Sequence, residues 1–429
     1  MYAWFFMNTE ENGMGTILDS LDLVSERMQQ EQSDLKAVIK ERMQINVTDT
    51  EIKDSVDRLI YNHCLKKKEL QELFGLSRVT FNTRIDEAME KGVIGQPIIQ
   101  GRTHLYNRFD VANFMDYMAY PTYSQRFEPI TIVVENHKGG TGKSTTTVTL
   151  ATAAALDLNL NARCLIIDLD PQGSTGQNLI HQADDESVYM TAVDVALSEL
   201  EPEGDFAQYL ASGYDYAELV KAIPFKTHLP NLDVIPAFPS DERFVDAYWG
   251  QDAEGQQQLL TLLREKILSV LKDEYDLIFI DTPPQNSPIL WAVNETADAV
   301  LIPVTPREFD FASTSNYMAT MPSTFRELPS KGKNLKWAKL LPVNFDEKSA
   351  HEVKVFDKLL RAAQGHLLST SIRHSEAFVA AAESNRTVLD IRKSEQVCSG
   401  KQFDLAMTSV NAVYHQFITE IKQLATKGR

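Results

Sequence analysis

Between Glu135 and Thr145 the chain reads Glu-Asn-His-Lys-Gly-Gly-Thr-Gly-Lys-Ser-Thr. Glycines at 139, 140 and 142 let backbone N–H groups curl around an anion. The apolar run Ile130–Val134 precedes this loop and a helix-like run, 145–155, follows it. Strand, glycine loop and helix together are the setting of a nucleotide phosphate site. The helix start adds partial positive charge. In such a loop Lys143 reaches the β- and γ-phosphates and Ser144 ligates Mg²⁺. The predicted nucleotide-binding set is therefore Lys138, Gly139, Gly140, Thr141, Gly142, Lys143, Ser144 and Thr145. The strict pattern G-x-x-x-x-G-K-[ST] fails at one position, where His137 replaces the first glycine. Lys138 stands at the loop's entry instead.

Two carboxylate stations support the loop. Leu165-Ile-Ile-Asp168-Leu-Asp170-Pro-Gln-Gly173 ends one apolar run, and Tyr275-Asp-Leu-Ile-Phe-Ile-Asp281-Thr-Pro-Pro ends another. An aspartate at a strand end beside a phosphate loop can hold Mg²⁺ through water. Each could instead be a cap or turn former. Two at strand ends in one phosphate-loop chain favour the metal-linked role.

These residues need elements to carry them. Strands are predicted at Ile130–Glu135, Cys164–Asp168, Leu232–Ile235, Leu277–Asp281, Ala299–Val304 and Trp337–Val343, with helical segments such as Gln258–Leu271 between them. The alternation predicts an α/β fold, a phosphate-loop NTPase with a mostly parallel central sheet flanked by helices. It occupies 130–429.

Three regions precede it. Residues 1–46 form an N-terminal region in which Ile17, Leu21, Val24, Met28, Leu35 and Val38 recur at steps of three and four, a helix stripe suited to dimerisation or to packing on its own domain. Residues 47–119 read as a winged helix-turn-helix. A helix ends at Phe74, Gly75 turns, and Ser77 caps a second helix, Arg78 to about Lys91, whose inner face is Phe81, Ile85 and Ala88. Arg78, Thr80 and Arg84 face outward as candidate DNA contacts, with Arg102 at the tip of a wing. Residues 120–129, with proline near both ends, read as a linker.

Composition narrows the classes. The 429 residues are 43% hydrophobic and 24% charged, which is ordinary globular material. Net charge is −18, so DNA binding requires a local basic patch. His351–Arg429 carries eleven Lys/Arg against eight Asp/Glu. Three scattered cysteines have no metal-ligand spacing and predict a reduced, cytoplasmic protein. No run is long enough to span a membrane, and Met1–Met7 lacks the form of a signal peptide. Met1, Met7 and Met14 are alternative starts.

Lys138-Gly-Gly-Thr-Gly-Lys143-Ser-Thr resembles the deviant Walker A box of ParA/MinD-type ATPases. Asp168-Leu-Asp170-Pro-Gln-Gly173 and Asp281-Thr-Pro-Pro are similar to the second and third boxes of ParA proteins. The helix and winged helix-turn-helix in front resemble the large ParA class in architecture. The resemblance implies an ATPase that uses ATP and ADP with Mg²⁺ and works as a homodimer. Lys138 would be the signature lysine that reaches the partner's phosphates. Lys143 would be the phosphate-loop lysine, and Asp170 would position the attacking water. Ser144 and Asp281 would be the metal station. Asn344 resembles an adenine-contacting position, and Arg373 a nonspecific DNA contact, with Arg386, Arg392, Lys393 and Lys401 as helpers. It further implies a nucleoid-associated partition protein with a ParB-like centromere-binding adaptor and an autorepressed operator, and no membrane partner. The alternatives are a MinD-like membrane ATPase, which would end in a membrane-seeking helix, and a nucleotide-regulated repressor without a partition role. The iron-protein branch needs paired cysteines that are absent between Cys164 and Cys398.

Overall fold

The computed structural model describes residues 21–31, 33–34, 44–45, 56–180 and 189–427. The chain divides into two units, Met1–Tyr61 and Asn62–Arg429. In the first, residues 21–31 are helical, and Leu21, Val24 and Met28 of the predicted stripe are solvent-exposed. Ile17, Leu35 and Val38 lie outside the described residues. Strands β1 (Gln44–Ile45) and β2 (Val56–Asp57) pair antiparallel.

The second unit is built on seven strands: β6 (Ile130–Val134), β7 (Cys164–Asp168), β8 (Phe225–Lys226), β9 (Leu232–Ile235), β10 (Leu277–Asp281), β11 (Ala299–Val304) and β12 (Trp337–Pro342). Their order is β12-β11-β6-β10-β7-β9-β8, parallel except for the edge pair β8–β9. Strands β6, β7, β9, β10 and β11 are buried at every residue. That is why they read as continuous apolar runs rather than alternating ones. Val133, Ile167, Ile280 and Ile302 enter one core layer; Val134, Ile166, Phe279 and Leu301 enter the other. Parallel strands place the β6, β7 and β10 loops at one end of the sheet, where ligands of open α/β sheets bind.

In front of the sheet lies the predicted helix-turn-helix. Helix α1 (Lys67–Phe74) ends at Gly75, whose φ of +60° is left-handed, and Ser77 Oγ accepts the Thr80 N–H at 3.2 Å to cap α2 (Arg78–Glu90). Phe81, Ile85 and Ala88 are buried, as the spacing predicts. Strands β4 (Ile98–Gln100) and β5 (Thr103–Tyr106) form the wing, and a strand the spacing does not reveal, β3 (Leu65–Lys66), completes a three-stranded sheet. Helix α3 (Arg108–Tyr117) closes this module.

The stretch 120–129 is a packed connection. Tyr123 is fully buried, its N–H donates to the Asn161 carbonyl, and the Glu128 N–H donates to the Ala425 carbonyl at 2.7 Å. A second fastening is charged. His63 and His228 each place Nε2 on Asp390 Oδ1, at 2.8 and 2.9 Å, inside the protein. The Arg108 guanidinium donates to the carbonyls of His63 and Leu156. Module and sheet domain therefore share one buried polar clasp.

Candidate functional site

Asn136 organises the loop that leaves β6. Its Nδ2 donates to the Pro303 carbonyl at 2.8 Å and to Thr314 Oγ1 at 3.1 Å, while its Oδ1 accepts the Lys138 N–H. Gly140 and Gly142 take φ of +74° and +77°, conformations that a side chain would strain. Gly142 is the N-cap of α4 (Lys143–Leu156), so the helix opens directly beneath the loop. Lys143 is only 6% exposed, and its Nζ donates to the Lys138 carbonyl at 3.3 Å. Burial holds its ammonium below the ordinary lysine range, with Asp281, Asp170 and Glu135 pulling the other way. The loop thus presents a desolvated cation and free backbone donors at a helix start, which fits a polyphosphate.

Asp281 is fully buried at the end of β10. Thr175 Oγ1 donates to its Oδ2 at 2.7 Å, Thr147 Oγ1 lies 3.5 Å from Oδ1, and the nearby Ser144 hydroxyl favours its charged form. Burial raises its pKa. A carboxylate and a nearby serine hydroxyl form the donor set that Mg²⁺ takes in phosphate-loop sites. The two aspartates of the second box divide their work. Asp168 is buried and accepts the N–H groups of Asp170, Thr175 and Gly176, so it shapes the loop. Asp170 is half-buried and fixes only the Gln172 N–H, which leaves it facing the site.

The family model described as an AAA domain (AAA_31) matches residues 130–331. The chain is 25% identical over 376 residues to plasmid partition protein A of Escherichia coli, across 83% of this chain and 89% of that one. It is 31% identical over 197 residues to the sporulation initiation inhibitor protein Soj of Bacillus subtilis, across 44% of this chain and 64% of that one. Its fold matches a solved structure titled "Partition Protein" with a TM-score of 0.63 at 21% identity, covering 86% of this chain and 94% of that one. The matched domain marks the chain as a P-loop ATPase, and the chain is similar to ParA-type partition proteins.

Lys138 is held in a place its motif does not announce. The ammonium is ion-paired within the same chain to Asp310, in the first turn of α6 (Glu308–Glu327). Asp310 is 172 residues away in sequence and carries no motif, so only the fold brings it to the loop. Glu135 is a second residue the motifs do not mark. It is fully buried at the root of the loop, accepts the Tyr317 hydroxyl, and borders Asn294. Burial pushes its carboxyl up to about 7, against hydrogen bonds from Tyr317 and Asn294 and the charge of Lys143.

Asn344 is exposed in a left-handed conformation, with φ of +52°, and its Oδ1 meets His374 Nδ1 at 2.7 Å. The preceding Val343 lies against the loop, since a Cβ on Gly142 would meet its Cγ2 at 3.6 Å. Arg373 is half-buried and ion-paired to Glu347 at 2.8 Å. Of its expected helpers, Arg386 is spent on Glu395 inside the protein, Arg392 donates to the Asn62 carbonyl, and Lys393 pairs with Asp404. Burial and these local acceptors take the two arginines out of a DNA-facing surface; Lys401 is exposed. On α2, Arg78, Thr80 and Arg84 are exposed, with Arg84 paired to Glu87, and Arg102 is exposed at the wing tip.

Proposed function

We propose that this ATPase partitions DNA by a nucleotide-gated dimer cycle. The observation that carries the reading is the pair of loop lysines. Lys143 is buried beneath the loop, whereas Lys138 is about a third exposed at its mouth. A buried lysine serves its own phosphates, and a lysine at the mouth can reach those of a second subunit. ATP binding would close a homodimer over two nucleotides and create a surface for nonspecific DNA that includes Arg373.

Within each site, Lys143 and the backbone N–H groups of Gly139 to Ser144 would hold the phosphates. Asp170 would orient the attacking water, and Lys138 from the partner would offset charge growing on the transferred group. Ser144 and Asp281 would hold Mg²⁺, whose contribution when bound is to neutralise phosphate charge. Asn344, beside the loop, would contact the base. A ParB-like adaptor bound at a centromere would stimulate hydrolysis. In the apo or ADP state α2 and the wing, through Arg78, Thr80, Arg84 and Arg102, would bind an operator.

The helix Gly400–Ala425 spends its apolar face inside the protein. Phe417, Ile418 and Ile421 of α8 (Gly400–Ala425) are buried in the core layer of Phe279, so that face is already used. No described helix is long and apolar enough to cross a membrane.

The deciding experiment compares operator and random-sequence DNA in ADP and in ATP at fixed salt. ADP should favour the operator and ATP should add random-DNA binding, with log affinity falling by about 0.9 per phosphate contact per log unit of salt. Identical binding in both nucleotides would refute the cycle.

A further inference from the structure

Helix α6 buries one face, and the first half of that face is polar. Its buried residues are Asp310, Thr314, Tyr317, Met321 and Phe325, at steps of four, three, four and four. A stripe of this kind is normally apolar along its length. Met321 and Phe325 obey the rule and enter the core layer of Val133 and Ile280. Asp310 and Thr314 break it, and Tyr317 brings a hydroxyl to bury. A polar group at a core position costs free energy unless something receives it.

The phosphate loop receives all three. Asp310 takes the Lys138 ammonium. Thr314 Oγ1 accepts from Asn136 Nδ2 at 3.1 Å. Tyr317 gives its hydroxyl to Glu135, which borders Asn294 of α5 (Pro288–Thr296), and lays its ring beside His137 with centroids 4.5 Å apart. Three turns of one helix thus hold residues 135–138, running opposite to the loop. His137 stands where the strict phosphate-loop pattern has its first glycine. A ring at that position needs a seat, and Tyr317 supplies it.

These contacts lead on to the lysine beneath the loop. Asn136 Oδ1 accepts the Lys138 N–H at 3.2 Å. The Lys138 carbonyl in turn accepts Lys143 Nζ at 3.3 Å and the Thr141 hydroxyl at 3.2 Å. Thr314 therefore reaches Lys143 through one side chain and one residue's backbone. On another side α6 borders an apolar cavity of about 230 Å³, where Phe311, Ser315 and Met318 face Leu340 of β12 and Leu359 and Ala363 of α7 (Ala350–Ala363). Unfilled space supplies no opposing contacts. The polar face, rather than packing behind it, sets how α6 sits on the loop.

We infer that Thr314 and Tyr317 are positioning residues for the phosphate loop, through which α6 fixes residues 135–138 and, by way of the Lys138 carbonyl, the place of Lys143 against the β- and γ-phosphates. Lys138 leaves Asp310 in the proposed dimer cycle, so the Thr314 and Tyr317 contacts are the ones that persist through it. This role presupposes that Lys143 serves the nucleotide, and Lys143→Ala checks that on its own.

A slightly displaced loop still binds nucleotide but aligns it poorly for transfer, so the loss belongs in kcat. ATP hydrolysis by the full chain is measured per folded site, with sites counted by titration with mant-ADP. Lys143→Ala should abolish hydrolysis; turnover like the parent's would remove the loop from the reaction and this inference with it. Thr314→Val keeps the shape and drops the acceptor. It should lower kcat per site by roughly five-fold or more and move KM for ATP by less than about two-fold. Thr314→Ser keeps a hydroxyl and should recover most of that loss. Thr320→Val makes the same change at an exposed position of α6 and should leave both constants within about two-fold. An undiminished kcat in Thr314→Val, or a deficit lying wholly in the count of sites, would overturn the role of Thr314. For Tyr317, phenylalanine keeps the ring and leucine does not, while both lose the hydroxyl. Tyr317→Leu should be roughly three-fold slower than Tyr317→Phe, and the two should match once His137→Gly removes the ring that Tyr317 seats. A gap that survives His137→Gly would overturn the role of Tyr317.

Discussion

At the scale of single residues, the lysine at the mouth of the phosphate loop is held within its own chain. Lys138 cannot reach another subunit while it sits on Asp310. Asp310 is largely buried, but the lysine is a third exposed, so the pair is worth only about 0.5–1 kcal/mol after solvent screening. Asp310→Asn keeps the shape and removes the charge. It should let ATP-dependent dimers form at roughly two- to five-fold lower protein concentration, read by sedimentation. Glu135 is a different kind of cost. Its carboxyl is raised from 4.5 to about 7 by burial, so the folded chain holds a proton there that the unfolded chain has lost. Stability is thus eroded as pH rises between those values, and the full cost is present above them. Glu135 Oε2 is a buried acceptor without a hydrogen-bond partner among the described residues, and an amide in place of the carboxylate carries no charge to desolvate there. Glu135→Gln should accordingly be more stable than the parent by roughly 3 kcal/mol at pH 8, with the gap vanishing near pH 4 in urea titrations.

At the scale of elements, the glycines of the loop are not equivalent. Gly142 has φ of +77° and Gly139 does not have a positive φ. In Gly142→Ala the added methyl would sit at ordinary contact distance from Val343, so its cost is backbone strain of roughly 1–2 kcal/mol. In Gly139→Ala the methyl meets no atom within 4 Å. Thermal midpoints should therefore fall in the first variant and hold in the second. The same scale shows what a sequence can reveal. Strands β7, β9, β10 and β11 fall on their predicted residues because burial on both faces makes each an unbroken apolar run. The two-residue strands β3 and β8 are invisible, since so short a segment has no period. The helical run predicted over Gln258–Leu271 is there, but it contains a π-helical stretch at Leu263–Leu268 that no spacing announces. Asp170, Asp281 and Lys143 stand out because their chemistry is local to a loop. Asp310 and Tyr317 act on that loop, and His374 on Asn344, from distant segments, where only the closed sheet supplies the contact.

Across the whole molecule, the winged module and the ATPase sheet are joined at a buried group that titrates. His63 comes from the module side, and His228 and Asp390 from the sheet domain. Burial holds the His63 imidazole below its ordinary 6.5, with the charge of Arg108 adding to this and Asp390 opposing it. Burial alone would raise the Asp390 carboxyl, but His228 and His63 outweigh it and hold the group well below the usual carboxylate range. The signs then follow. Below pH 6.5 the unfolded chain takes up a proton on His63 that the folded clasp refuses, so stability falls as pH falls. Asp390 keeps its own contribution until well below 3.8. Glu135 has the opposite slope between 4.5 and about 7, and only paired variants separate the two. In a Glu135→Gln background the urea midpoint should drop on acidification from pH 7 to pH 5, by up to about 1.4 kcal/mol per pH unit for one proton. Adding His63→Gln, whose amide can still donate to Asp390, should flatten that drop. Amide exchange at 62–66 should quicken on acidification in the chain with His63 and not in the glutamine variant, because it is the joint between module and sheet, rather than either body, that takes the strain. An acid slope unchanged by His63→Gln would place the titrating group elsewhere and leave the clasp a passive contact.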